Sequence, residues 1–385
     1  MTKIITIAAN AVVAKIIDAS DEVKTFVSDK LSFLVEGASM MSSFQNSSWN
    51  GRTSLFSRRT STFPAGFVFL IHSELTRKGY TVRIVQKGLP APQGPIAPKV
   101  DDFAPDPRYD FHDKALVQVL KHGRGILQVA TGGGKSRICK LIVARYRRPT
   151  LFLTTRGVLM YQMKRDFEKN CGFRPGIIGD GHWEPKTGLN TGMVQTLVQQ
   201  LATPNIDEER REHVRLITEA GQKRTPAQFQ ALAKASFAAK QKLRDRAVDF
   251  LSSIEVVIGE EAHEAGGNSY YEILRHCKNA QIRVALTATP FMRDNAEDNM
   301  RLMAAFGPIL LKVSEKLLID RGILAKPYFV FDDPPAHPKL RKSSPYQRAV
   351  SLGIAESAPR NQRIADWAYK ASQHGLSVLI LVARK

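Results

Sequence analysis

From Arg108 onward, short apolar runs alternate with amphipathic stretches. GILQVA, TLFLTT, GMVQTL, IEVVIGEE and IRVALTAT read as strands, and helical periodicity fills the intervals between them. Strand–helix alternation of this kind predicts a parallel sheet wrapped by helices. In such sheets ligands gather beyond the carboxyl ends of the strands, so the residues that follow each run are the ones to weigh for chemistry.

The run GILQVA leads into Ala130-Thr131-Gly132-Gly133-Gly134-Lys135-Ser136, and RICKLIVARY then continues as a helix. Strand, glycine-rich loop and helix are the context of a phosphate loop. Its glycines let backbone N–H groups converge on phosphate, Lys135 reaches the β- and γ-phosphates, and the Ser136 hydroxyl ligates Mg²⁺. The strict pattern has a glycine where Val129 stands, so the loop alone leaves a flexible turn as the alternative. A nucleotide hydrolase also needs one carboxylate to organise the metal and one to activate water. Glu260 and Glu261, at the end of IEVVIGEE and ahead of Ala262 and His263, supply both.

Residues 1–93 read as a small α+β unit: AVVAKII is strand-like, DEVKTFVSDKLSFLV has helical spacing, RTSLFS alternates, and PAGFVFLIHSELTRKGY is a helix before the strand TVRIVQ. The opening MTKIITIAANAVVAKII is rich in β-branched residues and broken by Lys15 and Asp18, which favours a strand over a signal peptide. Proline-dense residues 94–107 form a linker. Residues 108–331 hold the parallel sheet, with a charged, alanine-rich helical insertion at 203–250. Residues 332–385 are a second linker, a helix in ESAPRNQRIADWAYKASQHG and a strand in SVLILVARK, the opening of a further α/β domain cut short.

The formal net charge of +20 implies a polyanionic partner, with nucleic acid first. Cys139, Cys171 and Cys277 lie far apart and suggest neither a disulfide framework nor a zinc site, which fits a reducing cytoplasm. No apolar stretch reaches the length of a membrane span.

These motifs resemble those of the superfamily 2 helicases and translocases, whose motif I is commonly A/P-T-G-x-G-K-S/T and lacks the strict first glycine. Motif II, D-E-A-H or a variant, corresponds to Glu260-Glu261-Ala262-His263. LTTRGVLMYQ resembles motif Ia, which implies that Thr155 and Arg156 lie along a bound strand. GMVQTL resembles motif Ib with Gln195 and Thr196 in similar places, and LTATP resembles motif III, with Thr287 and Thr289 joining His263 in coupling nucleotide to nucleic acid. The resemblance implies a RecA-like, P-loop NTPase domain that uses ATP and Mg²⁺, with Thr131, Gly132, Gly133, Gly134, Lys135 and Ser136 on the nucleotide. Ser136 and Glu260 would serve the metal, and Lys135, Glu260 and Glu261 catalysis.

WNGRTSLFSRRTSTFPAGF, GDGHWEP and LLIDRGILAKPYF bring the chain closer to the phage branch-migration helicases. That type implies an N-terminal DNA-binding unit, duplex, forked or branched DNA as partner, and Arg52, Arg58 and Arg59 as contacts; Trp49 reads as a core aromatic.

Two departures stand out. Glu260 replaces the usual metal-organising aspartate, and its extra methylene moves the carboxylate outward by roughly 1.5 Å. In RYDFHDKAL, Tyr109 and His112 stand where the family often has arginine and glutamine, which puts adenine recognition by His112 in question. The second RecA-like domain begins at residues 332–385, and its later motifs, with their phosphoryl-stabilising arginines, are not in this sequence, so weak hydrolysis is expected. The expectation is an ATP-dependent DNA helicase or translocase. The alternatives are a non-catalytic DNA-binding protein with a degenerate helicase fold, an RNA helicase and a restriction-type translocase subunit.

Overall fold

The computed structural model describes residues 4–102, 104–263, 266–291, 296–332 and 337–382. The chain falls into two compact units, Met1–Ala325 and Lys326–Lys385.

The first unit opens with β1 (Ile4–Ala9), β2 (Val13–Ile17), α1 (Asp21–Lys30), β3 (Ser32–Leu34), the single turn α2 (Ser42–Gln45), β4 (Arg52–Ser54), β5 (Thr62–Pro64), α3 (Val68–Arg77) and β6 (Thr81–Gln86). Ser20 starts α1 by accepting from the Val23 N–H, and Asp21 and Glu22 complement the helix dipole in the first turn. The apolar opening run is a strand, and it pairs antiparallel with β2 and parallel with β6, in a sheet ordered β5-β2-β1-β6. Ile5, Ile7 and Ile16 of this sheet bury against Val23 and Val27 of α1 and Val68, Ile71 and Leu75 of α3, forming a core of its own. Trp49 differs from expectation. It is half-buried, donates its indole N–H to Arg52 O at 2.6 Å and meets Phe44 edge-on; its polar end draws it to the rim.

The large sheet comprises β7 (Arg124–Val129), β8 (Thr150–Thr154), β9 (Gly176–Gly179), β10 (His182–Glu184), β11 (Leu189–Met193), β12 (Val256–Glu260), β13 (Ile282–Thr287) and β14 (Ile309–Val313). Their order is β10-β9-β11-β8-β12-β13-β7-β14, and every neighbouring pair is parallel except the β9–β10 hairpin. Helices α4 (Phe111–His122), α5 (Lys135–Tyr146), α6 (Gly157–Cys171), α7 (Val194–Leu201), α8 (Ile206–Glu219), α9 (Pro226–Ser253), α10 (Gly266–His276), α11 (Ala296–Phe306) and α12 (Glu315–Asp320) complete the unit. Alternate strand residues feed two cores. Leu127, Val129, Val256 and Ile258 pack with α4 and α5, whereas Ile126, Val257 and Ala285 pack with α7, α10 and α11. Covering both faces is what makes the runs continuously apolar.

Three sequence expectations need adjusting. GMVQTL is a strand only to Met193; Val194–Leu201 is helical because Val194, Leu197 and Leu201 recur at helical spacing and bury together. The proline-rich stretch 94–107 is no free tether. Gln93 and Gly94 donate to Tyr146 O and Arg145 O, Arg145 Nη1 donates back to Gly94 O at 2.6 Å, and Val100 is buried with Leu141 and Ala144. The third concerns the end of the chain. In the second unit α13 (Tyr346–Val350) and α14 (Ala358–Gln373) form, with Trp367 Nε1 donating to Asp332 Oδ2 at 3.2 Å, but residues 376–382 of the expected strand adopt no strand conformation. A strand needs a neighbour for its backbone groups, and no other strand occurs among the described residues of this unit. The rest of that run, residues 383–385, lies outside the described residues.

The helical insertion is an antiparallel pair, α8 and α9. Thr225 and Gln228 close a reciprocal capping box at the start of α9, where Pro226 occupies the first turn.

Candidate active site

Because β13 lies between β12 and β7, their carboxyl ends bring three separate stretches to one place: Ala130–Ser136, Glu260–His263 and Thr287–Thr289. The loop after β7 turns through Gly132 at φ +82° and Gly134 at φ +76°, left-handed conformations that cost side-chain-bearing residues about 1–2 kcal/mol. Gly134 also has no room for a Cβ, which would stand 2.7 Å from His112 Nε2. The helix α5 begins at once, so its first N–H groups point into the loop mouth.

Lys135 Nζ reaches Glu261 Oε1 at 3.0 Å, with both side chains mostly buried. Glu261 itself sits at φ +44°, held there by its N–H, which donates to Leu286 O at 2.9 Å. A non-glycine residue in this region marks stored backbone strain, and such strain clusters at functional positions. His263 Nδ1 lies 3.5 Å from Glu261 Oε2 and shares a 2.7 Å hydrogen bond with Thr287 Oγ1. Thr287 is fully buried, and its Oγ1 also accepts from the Thr289 N–H at 3.3 Å. Thr289 is exposed.

Glu260 ends β12, where Tyr270 donates its O–H to the Glu260 carbonyl at 2.9 Å. Burial first, and the Glu260 charge second, push the Cys139 thiol up, which puts the Glu260 carboxylate in electrostatic reach of the first turns of α5. Among the described residues no group of three His, Cys, Asp or Glu could hold a metal unaided. Ser136 and Glu260 offer hard oxygen donors of the kind Mg²⁺ accepts beside waters and phosphate oxygens. The glycine turns, the helix N-terminus and the Lys135 ammonium fit a nucleotide's phosphates.

His112 lies under the loop. It is 5% exposed, and its Nε2–H donates to Gly133 O at 2.9 Å. Burial pushes its pKa down, so the ring is neutral at pH 7 and braces the loop. Two further supports are visible only in the structure. Gln128 Nε2 donates to Ala288 O at 3.1 Å, tying β7 to the Thr287–Thr289 turn, and Leu324 packs where a Cβ on Gly132 would fall. A lone strand glutamine carries no signal that could have revealed the first.

The neighbouring strands β8 and β11 align a second set. Thr155 and Arg156 follow β8, Gln195 and Thr196 open α7, and Gln195 Nε2 donates to Thr155 O at 2.9 Å. Arg156 and Gln195 are exposed, and Thr155 and Thr196 are half-buried. Arg52 donates to Ser32 O and Oγ, and Arg58 to Thr25 Oγ1 at 2.9 Å. These partners, like the exposed Arg59, belong to the N-terminal segment and not to the edge that gathers the motifs.

Residues 110–292 match the family described as "Type III restriction enzyme, res subunit" (ResIII). Over 72 residues the chain is 36% identical to the DNA 3'-5' translocase XPB2 of Sulfurisphaera tokodaii, a match that spans 19% of this chain and only 16% of that protein. Two solved structures share the fold. The UvsW helicase of bacteriophage T4 aligns with a TM-score of 0.57 at 19% identity, over 79% of this chain and 98% of that one. A second T4 UvsW structure gives 0.56 at 18% identity, over 79% of this chain and 56% of that one. The chain thus shares the α/β fold of the UvsW helicase structures, and its residues 110–292 match the ResIII family.

Proposed function

We propose, from a helicase-family domain carried in that fold, that the chain is the ATP-binding part of a DNA helicase or translocase acting on duplex, forked or branched DNA in the cytoplasm. The observation that carries the reading is the contact chain Lys135–Glu261–His263–Thr287, which joins the loop to a turn on the neighbouring strand.

In this reading Gly132, Gly133, Gly134 and Thr131 shape the phosphate cradle, Lys135 neutralises phosphate charge, and Ser136 and Glu260 hold Mg²⁺, Glu260 through water because its side chain is longer than aspartate. MgATP, when bound, supplies the phosphoanhydride whose hydrolysis drives movement. Glu261 orients water and takes its proton at a carboxylate oxygen. His263, Thr287 and Thr289 pass the state of Glu261 to the strand-binding edge of Thr155, Arg156, Gln195 and Thr196. The net charge of +20 and the exposed arginines Arg52, Arg58 and Arg59 of the domain at 1–93 support backbone contacts to a polyanion. Branch migration is the most specific form of the reading, supported by the likeness to UvsW in fold.

The test is nucleotide binding and phosphate release by this chain and by a version extended through a second RecA-like domain. Each is measured without nucleic acid and with single-stranded DNA, a four-way junction and RNA, with Lys135→Ala as control. Junction-stimulated release lost in Lys135→Ala is expected. Stronger stimulation by RNA would replace DNA as the substrate. Junction binding without turnover in the extended protein would leave a non-catalytic DNA-binding protein.

A further inference from the structure

The N-terminal sheet is covered on one side only. Ile5 and Ile7 of β1 and Ile16 of β2 turn toward α1 and α3, and the alternate residues of β1, β2 and β6 face outward. Strand register sets that outer face in two rows. Lys15, Ala8 and Val85 form one, and Ile17, Thr6 and Arg83 form the other. Lys15, Ile17, Arg83 and Val85 are exposed, and the small Thr6 and Ala8 between them keep the middle of the face low. Each row thus ends in one cation, on opposite flanks. No Asp or Glu occurs in β1, β2 or β6.

An open sheet face is ordinarily polar and solvated, whereas this one leaves Ile17 and Val85 exposed beside two like charges. Stacking it on a second copy of the chain would bury Lys15 and Arg83 with no counter-charge, which is strongly unfavourable. An anionic partner removes that obstacle. Neighbouring strands lie about 4.8 Å apart and residues rise about 3.4 Å, so Lys15 and Arg83, two strands and two residues apart, stand roughly 12 Å from one another. That separation gives each cation its own phosphate group, with apolar Ile17 and Val85 left for sugars.

We infer that this open face holds the backbone of duplex DNA, with Lys15 and Arg83 on separate phosphates. The inference rests on the reading of the chain as a DNA helicase or translocase and names a hold separate from the edge at Arg156 and Gln195. It also differs from Arg52 and Arg58, whose guanidiniums are already engaged by Ser32 and Thr25.

The test measures binding of the full chain to a fluorescent DNA duplex from about 50 to 200 mM salt, where each phosphate contact adds about 0.9 to the slope of log K against log salt. Lys15→Thr and Arg83→Thr, which keep a strand-forming residue, should each lower the slope by about 0.9 and together by about 1.8. Lys78→Gln should leave it unchanged, because Lys78 lies over the Phe26 ring at the end of α3. Acetylation of the unaltered chain gives a readout that requires no variant to fold: saturating duplex should protect Lys15 and not Lys78. A slope that falls in Arg156→Ala but in neither Lys15→Thr nor Arg83→Thr would keep the DNA reading and overturn this face, as would equal acetylation of Lys15 with and without duplex. Sedimentation showing a dimer that Val85→Lys dissociates would assign the face to a second copy instead. Absence of any duplex binding by the unaltered chain would defeat the DNA reading and this inference with it.

Discussion

Replacing Gly134 by alanine tests whether the loop and His112 form one unit. At φ +76° and ψ +38° the backbone is left-handed, which costs an L-residue about 1–2 kcal/mol. The new Cβ would stand 2.7 Å from His112 Nε2 and 3.0 Å from Cε1, so the ring must withdraw. Withdrawal forfeits the buried bond to Gly133 O, worth about 1 kcal/mol net. Gly134→Ala should therefore destabilise the chain by about 2–3 kcal/mol, the sum of the two effects. In a His112→Ala background the clash and the bond are both gone, and the same substitution should cost only the conformational part, about 1–2 kcal/mol. Urea unfolding of the four proteins at a common m-value, with Kd for a non-hydrolysable ATP analogue measured alongside, reads both terms. Equal costs in the two backgrounds would refute the packing of His112 against the loop. A cost below about 0.5 kcal/mol would refute the loop geometry itself.

Lys135→Ala removes a charge-assisted contact worth about 2–3 kcal/mol, so ATP should bind roughly 30- to 150-fold more weakly by calorimetry; unchanged affinity would remove the phosphate loop from the account. His112 has its pKa lowered by burial, so the unfolded chain binds the proton more readily: its contribution is complete above the ordinary value of 6.5 and is lost as pH falls from there through the folded value. Stability measured from pH 7 to 5 should fall less steeply in His112→Gln, and an identical slope would show that the ring is not held neutral. Thr287→Val keeps the volume but removes the hydrogen bond to His263, and should lower DNA-stimulated phosphate release more than the basal rate; equal losses would place Thr287 outside the coupling path. Arg156→Ala should reduce the slope of log K against log salt for DNA binding by about 1, and an unchanged slope would take Arg156 off the phosphate track.

The parallel sheet was legible because its strands are buried on both faces: Leu127 and Val129 serve one core and Ile126 the other, so the run has to be apolar throughout. Shorter and less continuous strands escaped notice. β9 and β10 are four and three residues long, and β14 is buried only at Val313. The helical start at Val194 was lost inside a motif because strand and helix share one apolar run there. For residues 94–107, composition spoke of proline, whereas the decisive fact is tertiary, the burial of Val100 against α5. Proline fixes φ in advance, so a strap loses little entropy by lying down.

Motif order in the chain names the site residues, but only strand order explains why they can act together. With β13 placed between β12 and β7, Glu260 pairs with Leu286 and Thr287 with Gln128 in register, and the three loops must emerge side by side. Contacts then close a ring: Lys135 to Glu261, Glu261 to His263, His263 to Thr287, and Gln128 of β7 back to Ala288. In this ring Lys135 and Glu261 neutralise each other, and His263 Nδ1 lies 3.5 Å from the other carboxylate oxygen of Glu261. The neighbouring turn is fixed in its place by the Thr289 N–H, which donates to Thr287 Oγ1, so the loop and the turn are joined by direct contacts. Had β13 lain outside β12 and β7, the same motifs in the same order would have had no such ring.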